Sequence, residues 1–227
     1  MLTRWITLAV ALIISTGCSV FGIRTAEELS YTVVEKQDEY EIRSYDSYIA
    51  AEASLDGNYK GVQRDLFRIL AGYIFGKNTA GASIEMTAPV VLNPNDQDST
   101  VQSGADDAED SVRIAMTAPV TMKRPDNNSW TMAFSMPSEY TMKTLPKPDD
   151  KRVKLVQIPK RTVAVIRFSG RYGDEETRAE KTRALQHWLA NSKGYRQKGA
   201  PYFAGYDPPF TLPFLRRNEV LIEVDVL

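Results

Sequence analysis

Residues that commonly carry chemistry are scarce in this 227-residue chain, which holds one cysteine, Cys18, and one histidine, His187. An intrachain disulfide is therefore ruled out, as are a Cys–His nucleophile pair in the folded domain and a His/Cys metal cluster. A serine triad would have to recruit His187, and no Gly-x-Ser-x-Gly elbow, glycine-rich phosphate loop or zinc-protease motif occurs. His187 lies in a helical pattern beside Trp188. An ordinary helix histidine is the simpler reading there, and a metal ligand the weaker one. Met86 and Met116 are sulfur candidates, but their alternation with other apolar residues reads first as core. Six carboxylates, Asp96, Asp98, Asp106, Asp107, Glu109 and Asp110, crowd into 93–111 without a lysine, arginine or aromatic residue. That composition predicts a solvated, disordered hairpin tip before it predicts a metal site. The expectation is binding rather than catalysis.

One helix offers binding chemistry. Asn58 is a plausible cap for a helix over about 59–75, closed by Gly76. At about 100° per residue, Val62, Leu66, Ile69, Leu70 and Tyr73 form one stripe. Phe67 and Ile74 widen it on one flank, and Ala71 and Phe75 lie further round, near Arg64 and Arg68. This arc exceeds what a single core contact needs. Either the helix is wedged between a sheet and a loop, or it lines an apolar groove with Arg64 at the edge.

The chain around this helix reads as one exported α+β domain. Lysine plus arginine number 28 and aspartate plus glutamate 29, so charge provides no footprint for nucleic acid and no polybasic membrane patch. At 43% apolar and 25% charged residues, a core can be buried. Residues 1–17 read as a signal peptide: Arg4 precedes an apolar run from Trp5 to Ile14, too short for the roughly 20 residues of a bilayer span. Ser15-Thr16-Gly17-Cys18 is similar to a bacterial lipobox, which would make Cys18 a lipidation site and 18–29 a tether. A plain signal peptide, or a buried N-terminal anchor, with a leftover thiol is the alternative.

From Tyr31 the pattern alternates. Strands are expected over 31–35, 40–45 and 48–55 before the helix, and over 130–136 after it. The pentapeptide MTAPV occurs at 86–90 and 116–120, each preceded by Ile at the matching parity, which predicts two neighbouring strands with Pro89 and Pro119 at an edge, an end or a bulge. Shifting 42–59 by 113 residues sets Ile42 on Leu155, Leu55 on Phe168 and Gly57 on Gly170. A second helix over about 175–191, with Ala184, Leu185, Trp188 and Leu189 as its stripe, and strands at 202–206 and 219–226 complete a repeated unit.

These segments together resemble the SOUL heme-binding protein family. The matching pieces are Leu70 to Gly76, both MTAPV copies, Phe134-Ser135-Met136-Pro137, Leu145-Pro146-Lys147-Pro148, Arg152 to Leu155, Phe168-Ser169-Gly170-Arg171, Gly205 to Pro209 and Leu215 to Val220. The resemblance implies a distorted antiparallel β-barrel of two pseudo-symmetric halves, each flanked by one α-helix, as a single domain over 30–227. It also implies non-enzymatic binding of heme, as a cofactor the fold does not require, or of another tetrapyrrole or flat apolar ligand. The implied site is a groove on the first helix. It falls on Arg64, Phe67 and Ala71, with Ile74 and Phe75 beside them, and Phe67 and Ala71 stand where animal heme binders carry methionines. Expected partners are such a ligand and, through Cys18, the periplasmic face of a bacterial outer membrane. An envelope interaction module without a small ligand is the alternative, with Tyr202 to Phe214 as its candidate surface.

Overall fold

The computed structural model of the protein describes residues 26–80, 111–124, 129–171, 174–208 and 210–227. Cys18, the first MTAPV copy and the acidic residues of 93–110 lie outside the described residues.

Alternating apolar segments form the strands. The first half supplies β1 (Glu27–Glu28), β2 (Tyr31–Gln37), β3 (Tyr40–Tyr45), β4 (Tyr48–Asp56), helix α1 (Tyr59–Ile74), β5 (Asn78–Thr79), β6 (Thr117–Ala118), β7 (Val120–Lys123) and β8 (Ser129–Ser135). The second supplies β9 (Lys147–Pro148), β10 (Lys154–Ile158), β11 (Arg161–Phe168), helix α2 (Glu175–Ala190), β12 (Tyr195–Gln197), β13 (Tyr202–Gly205) and β14 (Asn218–Val226). The main sheet is antiparallel and runs β10-β4-β8-β7-β13-β14-β11-β3-β2, with β12 also paired to β14. It curls into a half-barrel carrying two helices, an α+β fold.

The order reads the same from either half. Exchanging β10 with β3, β4 with β11, β8 with β14 and β7 with β13 reproduces the eight strands from β10 to β3, with β2 added at the edge. The register obeys the exchange: Ala51 pairs with Leu155, and its repeat-mate Ala164 pairs with Ile42. Each half therefore hydrogen-bonds a strand of the other. The strand-to-helix corners repeat as well. Gly57 and Gly170 adopt φ of 135° and 131°, a region where a side chain is strained. Asn58 caps α1 by accepting from the Gly61 N–H at 2.8 Å, and Asp174 caps α2 by accepting from the Glu176 and Thr177 N–H groups.

Both helices cover the same face. Against α1, Leu66, Leu70, Tyr73 and Ile74 pack on Ile49, Ala51, Ala53, Met132 and Phe134. Against α2, Leu185 and Leu189 pack on Ile42, Ala164, Ile166, Val220 and Ile222. Each such aliphatic side chain contributes about 1.5–3 kcal/mol by leaving water. The opposite face holds a third cluster, including Tyr45, Val163, Val165, Tyr202, Tyr206 and Leu221. Strands β11 and β14 are thus buried on both sides.

The described pentapeptide departs from a single strand with one apolar parity. Pro119 splits it: β6 pairs parallel with β1, while β7 pairs with β8 and β13. The chain changes sheets where the proline has no N–H to donate. Consequently Ile114 is buried under α1, Ala118 joins the opposite cluster, and Met116 is 39% exposed instead of lying in the core.

Candidate functional site

The five residues expected on the α1 groove divide into two environments. Ile74 is fully buried in the α1 core, and its carbonyl accepts from the Ile114 N–H at 2.8 Å. Arg64 is exposed, Ala71 is half-buried, and Phe67 and Phe75 are 41% and 58% exposed. Phe67 leans on Phe134 with ring centroids 5.5 Å apart, so one edge of its ring is anchored while the rest faces solvent. Arg64, Phe67, Ala71 and Phe75 follow the i, i+3, i+7, i+11 spacing of one helix flank, opposite the core. At 1.5 Å per residue the flank runs about 16 Å. Arg68, paired with Asp65 at 3.2 Å, and Lys60 add cationic character. The flank joins two apolar rings to guanidinium donors, the pattern that holds a flat molecule bearing carboxylates.

Deeper chemistry lies on the helix-free face, in residues that the sequence reading did not single out. Glu219 is 0% exposed. Arg43 donates to it from Nη1 and Nη2 at 2.9 and 3.1 Å, Arg217 donates from Nε at 2.8 Å, and the Tyr206 hydroxyl donates at 2.7 Å. Arg43 also reaches Glu41 at 2.7 Å, and Arg217 reaches Glu28 at 2.9 Å. Burial alone would lower both arginines, but hydrogen bonding and the Glu219 charge outweigh it and hold them above the ordinary guanidinium range. Burial also pushes the Tyr206 hydroxyl well up, with the Glu219 charge adding to it. Every group here is paired, which makes the cluster a cross-strand clasp between β3 and β14. The parity of Glu219 with Leu221, on a strand with two buried faces, is the signal that could have revealed it.

Nearby, a cavity of about 50 Å3 is bordered by Arg161, Tyr48, Tyr202, Glu52 and Lys123. Arg161 donates to the Tyr48 hydroxyl at 2.6 Å, and Lys123 pairs with Glu52 at 3.0 Å. A more open cleft of about 680 Å3 runs under the 136–143 segment, against Tyr48, Ile49, Glu28 and Gln157. Neither is lined by the α1 flank residues.

His187 is exposed on α2, its ring nitrogen 3.5 Å from the Asn191 amide. Among the described residues, no group of three or more His, Cys, Asp or Glu side chains could hold a metal. Within 202–214, Tyr202, Ala204 and Tyr206 are buried, whereas Phe210 and Phe214 are exposed. No helix among the described residues is long and apolar enough to cross a membrane.

No curated protein sequence matches the chain. Among solved structures it is similar to the EcmrR C-terminal domain (TM-score 0.53, 11% identity, 87% of this chain and 99% of that one). It is also similar to EcmrR in a complex with DNA (TM-score 0.53, 11% identity, 85% of this chain), spanning 60% of that chain. A hydrolase from Listeria innocua follows (TM-score 0.47, 16% identity, 85% and 94%). At 11% identity the likeness to EcmrR is one of fold alone. The family profile described as SOUL heme-binding protein matches twice, at 26–104 and 103–223. The chain belongs to the SOUL heme-binding protein family.

Proposed function

We propose that the protein binds heme, another tetrapyrrole or a similar flat apolar ligand without chemical turnover, on the exposed flank of α1. The observation that carries this reading is the pair of exposed rings, Phe67 and Phe75, set beside Arg64 on a helix whose other face is fully buried. The rings offer a flat apolar contact, and the guanidinium suits a carboxylate at its edge. Family membership supports the ligand class. The described flank residues fit the ring and its carboxylates but provide no histidine or cysteine for iron, so iron-free protoporphyrin should bind about as well as hemin. In this reading Cys18 carries the acyl chains that hold the protein at the periplasmic face of the outer membrane, since several chains anchor stably where one is marginal.

Titration with hemin and with protoporphyrin, followed at the Soret band, tests the ligand. A saturable shift is expected, weakened by Arg64→Glu and by Phe67→Ser. No saturable shift, or no change with either substitution, refutes it. Anchoring is tested separately: Cys18→Ala should release the protein from the membrane fraction, and continued retention refutes lipidation.

A second reading is an envelope interaction module. It is favoured by Phe210 and Phe214, which expose 61% and 69% of their surface on the loop before β14. A stoichiometric crosslinked partner with no bound pigment would select it over the first.

A further inference from the structure

Helices α1 and α2 begin over a pocket of about 370 Å3, whose walls include Tyr59, Trp130 and Phe203, with Arg124, Arg178 and Glu175 among its polar lining. Arg178 is 5% exposed, yet among the described residues its Nε and Nη1 have no acceptor and the buried Tyr59 hydroxyl has no hydrogen-bond partner. Among the described residues no carboxylate pairs with Arg178; Asp174, one turn earlier, is engaged in capping α2. The faces of the guanidinium are taken, with Cζ 3.8 Å from the Tyr59 ring centroid and 4.9 Å from that of Phe203. Stacking satisfies the faces but leaves the in-plane N–H edges open. A buried cation with unmet donors is costly, and an in-plane acceptor relieves that cost best when it is a carboxylate.

We propose that this pocket is a second ligand site, for a small planar aromatic carboxylate. Its carboxylate accepts from the edge of Arg178 and from the Tyr59 hydroxyl, while its ring rests against Trp130 and Phe203. Burial pushes the Tyr59 hydroxyl up to about 12 against the pull of the Arg178 charge, so it remains a donor at neutral pH. Trp130 meets Tyr59 edge-on at 5.1 Å and Arg124 lies 5.5 Å from the Trp130 ring, giving an aromatic wall with a cationic margin. Glu175 at the rim disfavours a second negative charge. The volume lies near the lower end of small-molecule pockets, roughly 300–1,000 Å3. None of Arg64, Phe67, Ala71, Ile74 or Phe75 lines it, so it is independent of the α1 flank.

Benzoate is the probe, titrated into the full chain while tryptophan fluorescence and thermal unfolding are followed, with benzamide and inorganic phosphate alongside. Saturable quenching is expected, absent in Trp130→Phe, together with a rise in Tm. Arg178→Met should weaken benzoate at least tenfold and leave the hemin titration unchanged, so the two sites fail separately. The proposal is overturned if benzoate has no saturable effect, if benzamide or phosphate acts equally well, or if Arg178→Met binds benzoate like the parent. Should Arg178→Met not fold, Tyr59→Phe, which removes a single oxygen, carries the same titration, and an unchanged benzoate affinity overturns the proposal.

Discussion

Replacing Glu219 by glutamine removes one negative charge from a clasp that joins β3 to β14. The introduced amide could still accept hydrogen bonds, but Arg43 and Arg217, 2% and 7% exposed, would face each other without the carboxylate between them. Removing one partner from a buried ion pair costs about 3–5 kcal/mol. Each arginine keeps another carboxylate, Glu41 at 2.7 Å or Glu28 at 2.9 Å, which places the cost near the lower end, about 3 kcal/mol. For a domain of this size that corresponds to a Tm drop of about 6–12 °C. Circular dichroism during heating and in urea measures it, and an unchanged urea slope would show that stability fell without a change in the surface exposed on unfolding. The triple replacement Arg43→Met, Arg217→Met, Glu219→Leu should recover part of the loss, because it removes the two facing guanidinium charges while Glu41 keeps Lys36 at 2.9 Å. A single Glu219→Gln variant that melts within about 2 °C of the parent would refute the clasp as a structural element.

The repeated corners should respond unequally to alanine: Gly57→Ala and Gly170→Ala each strain a positive φ by about 1–3 kcal/mol. Only Gly57→Ala also drives a Cβ to 3.0 Å from Val62 Cγ1, so it should be the worse of the two by urea midpoint. On α1, Leu66→Ala should cost about 2–5 kcal/mol because Leu66 is wholly buried. Arg64→Ala, on the exposed flank, should stay within about 0.5 kcal/mol, and equal losses would contradict the division of the helix faces. Arg152 donates from its side chain and backbone to Asp150 and holds that carboxyl down at about 2, below its ordinary 3.8. The folded value is the depressed one, so the contribution is full above about pH 4 and is lost as pH falls through 2. Asp150→Asn should flatten the fall of Tm in that window, by a small amount because the pair is exposed.

Much of the local structure could be read from residue periodicity, and most of the long-range structure could not. The stripe Val62, Leu66, Leu70, Tyr73 predicts α1 and its buried face because helix period and burial agree. Ile74, placed on the groove flank, lies at the border of that stripe and is claimed by the core under Ile114. The offset that superposes Gly57 on Gly170 anticipates two equivalent corners, and both carry positive φ. Nothing local indicates that each repeat pairs with strands of the other, since pairing is decided by partners more than a hundred residues away. For the same reason the alternation along β14 does not by itself disclose Glu219. Its partner Arg43 lies 176 positions earlier, and only the curled sheet reveals that this side is interior. Arg178 escaped because a charge in a helix reads as solvent-facing. Its spacing of seven to Leu185, on the buried stripe, is the one local hint.

The palindromic strand order makes the domain a dimer written in one chain. Because β4 completes its edge on β10 and β11 completes its edge on β3, neither repeat alone closes its own sheet. The covalent link through 136–153 only raises the concentration at which the two meet. The architecture is that of two reciprocal partners held together in one chain. The halves are equivalent in strand order but not in surface: the α1 flank carries the exposed rings Phe67 and Phe75.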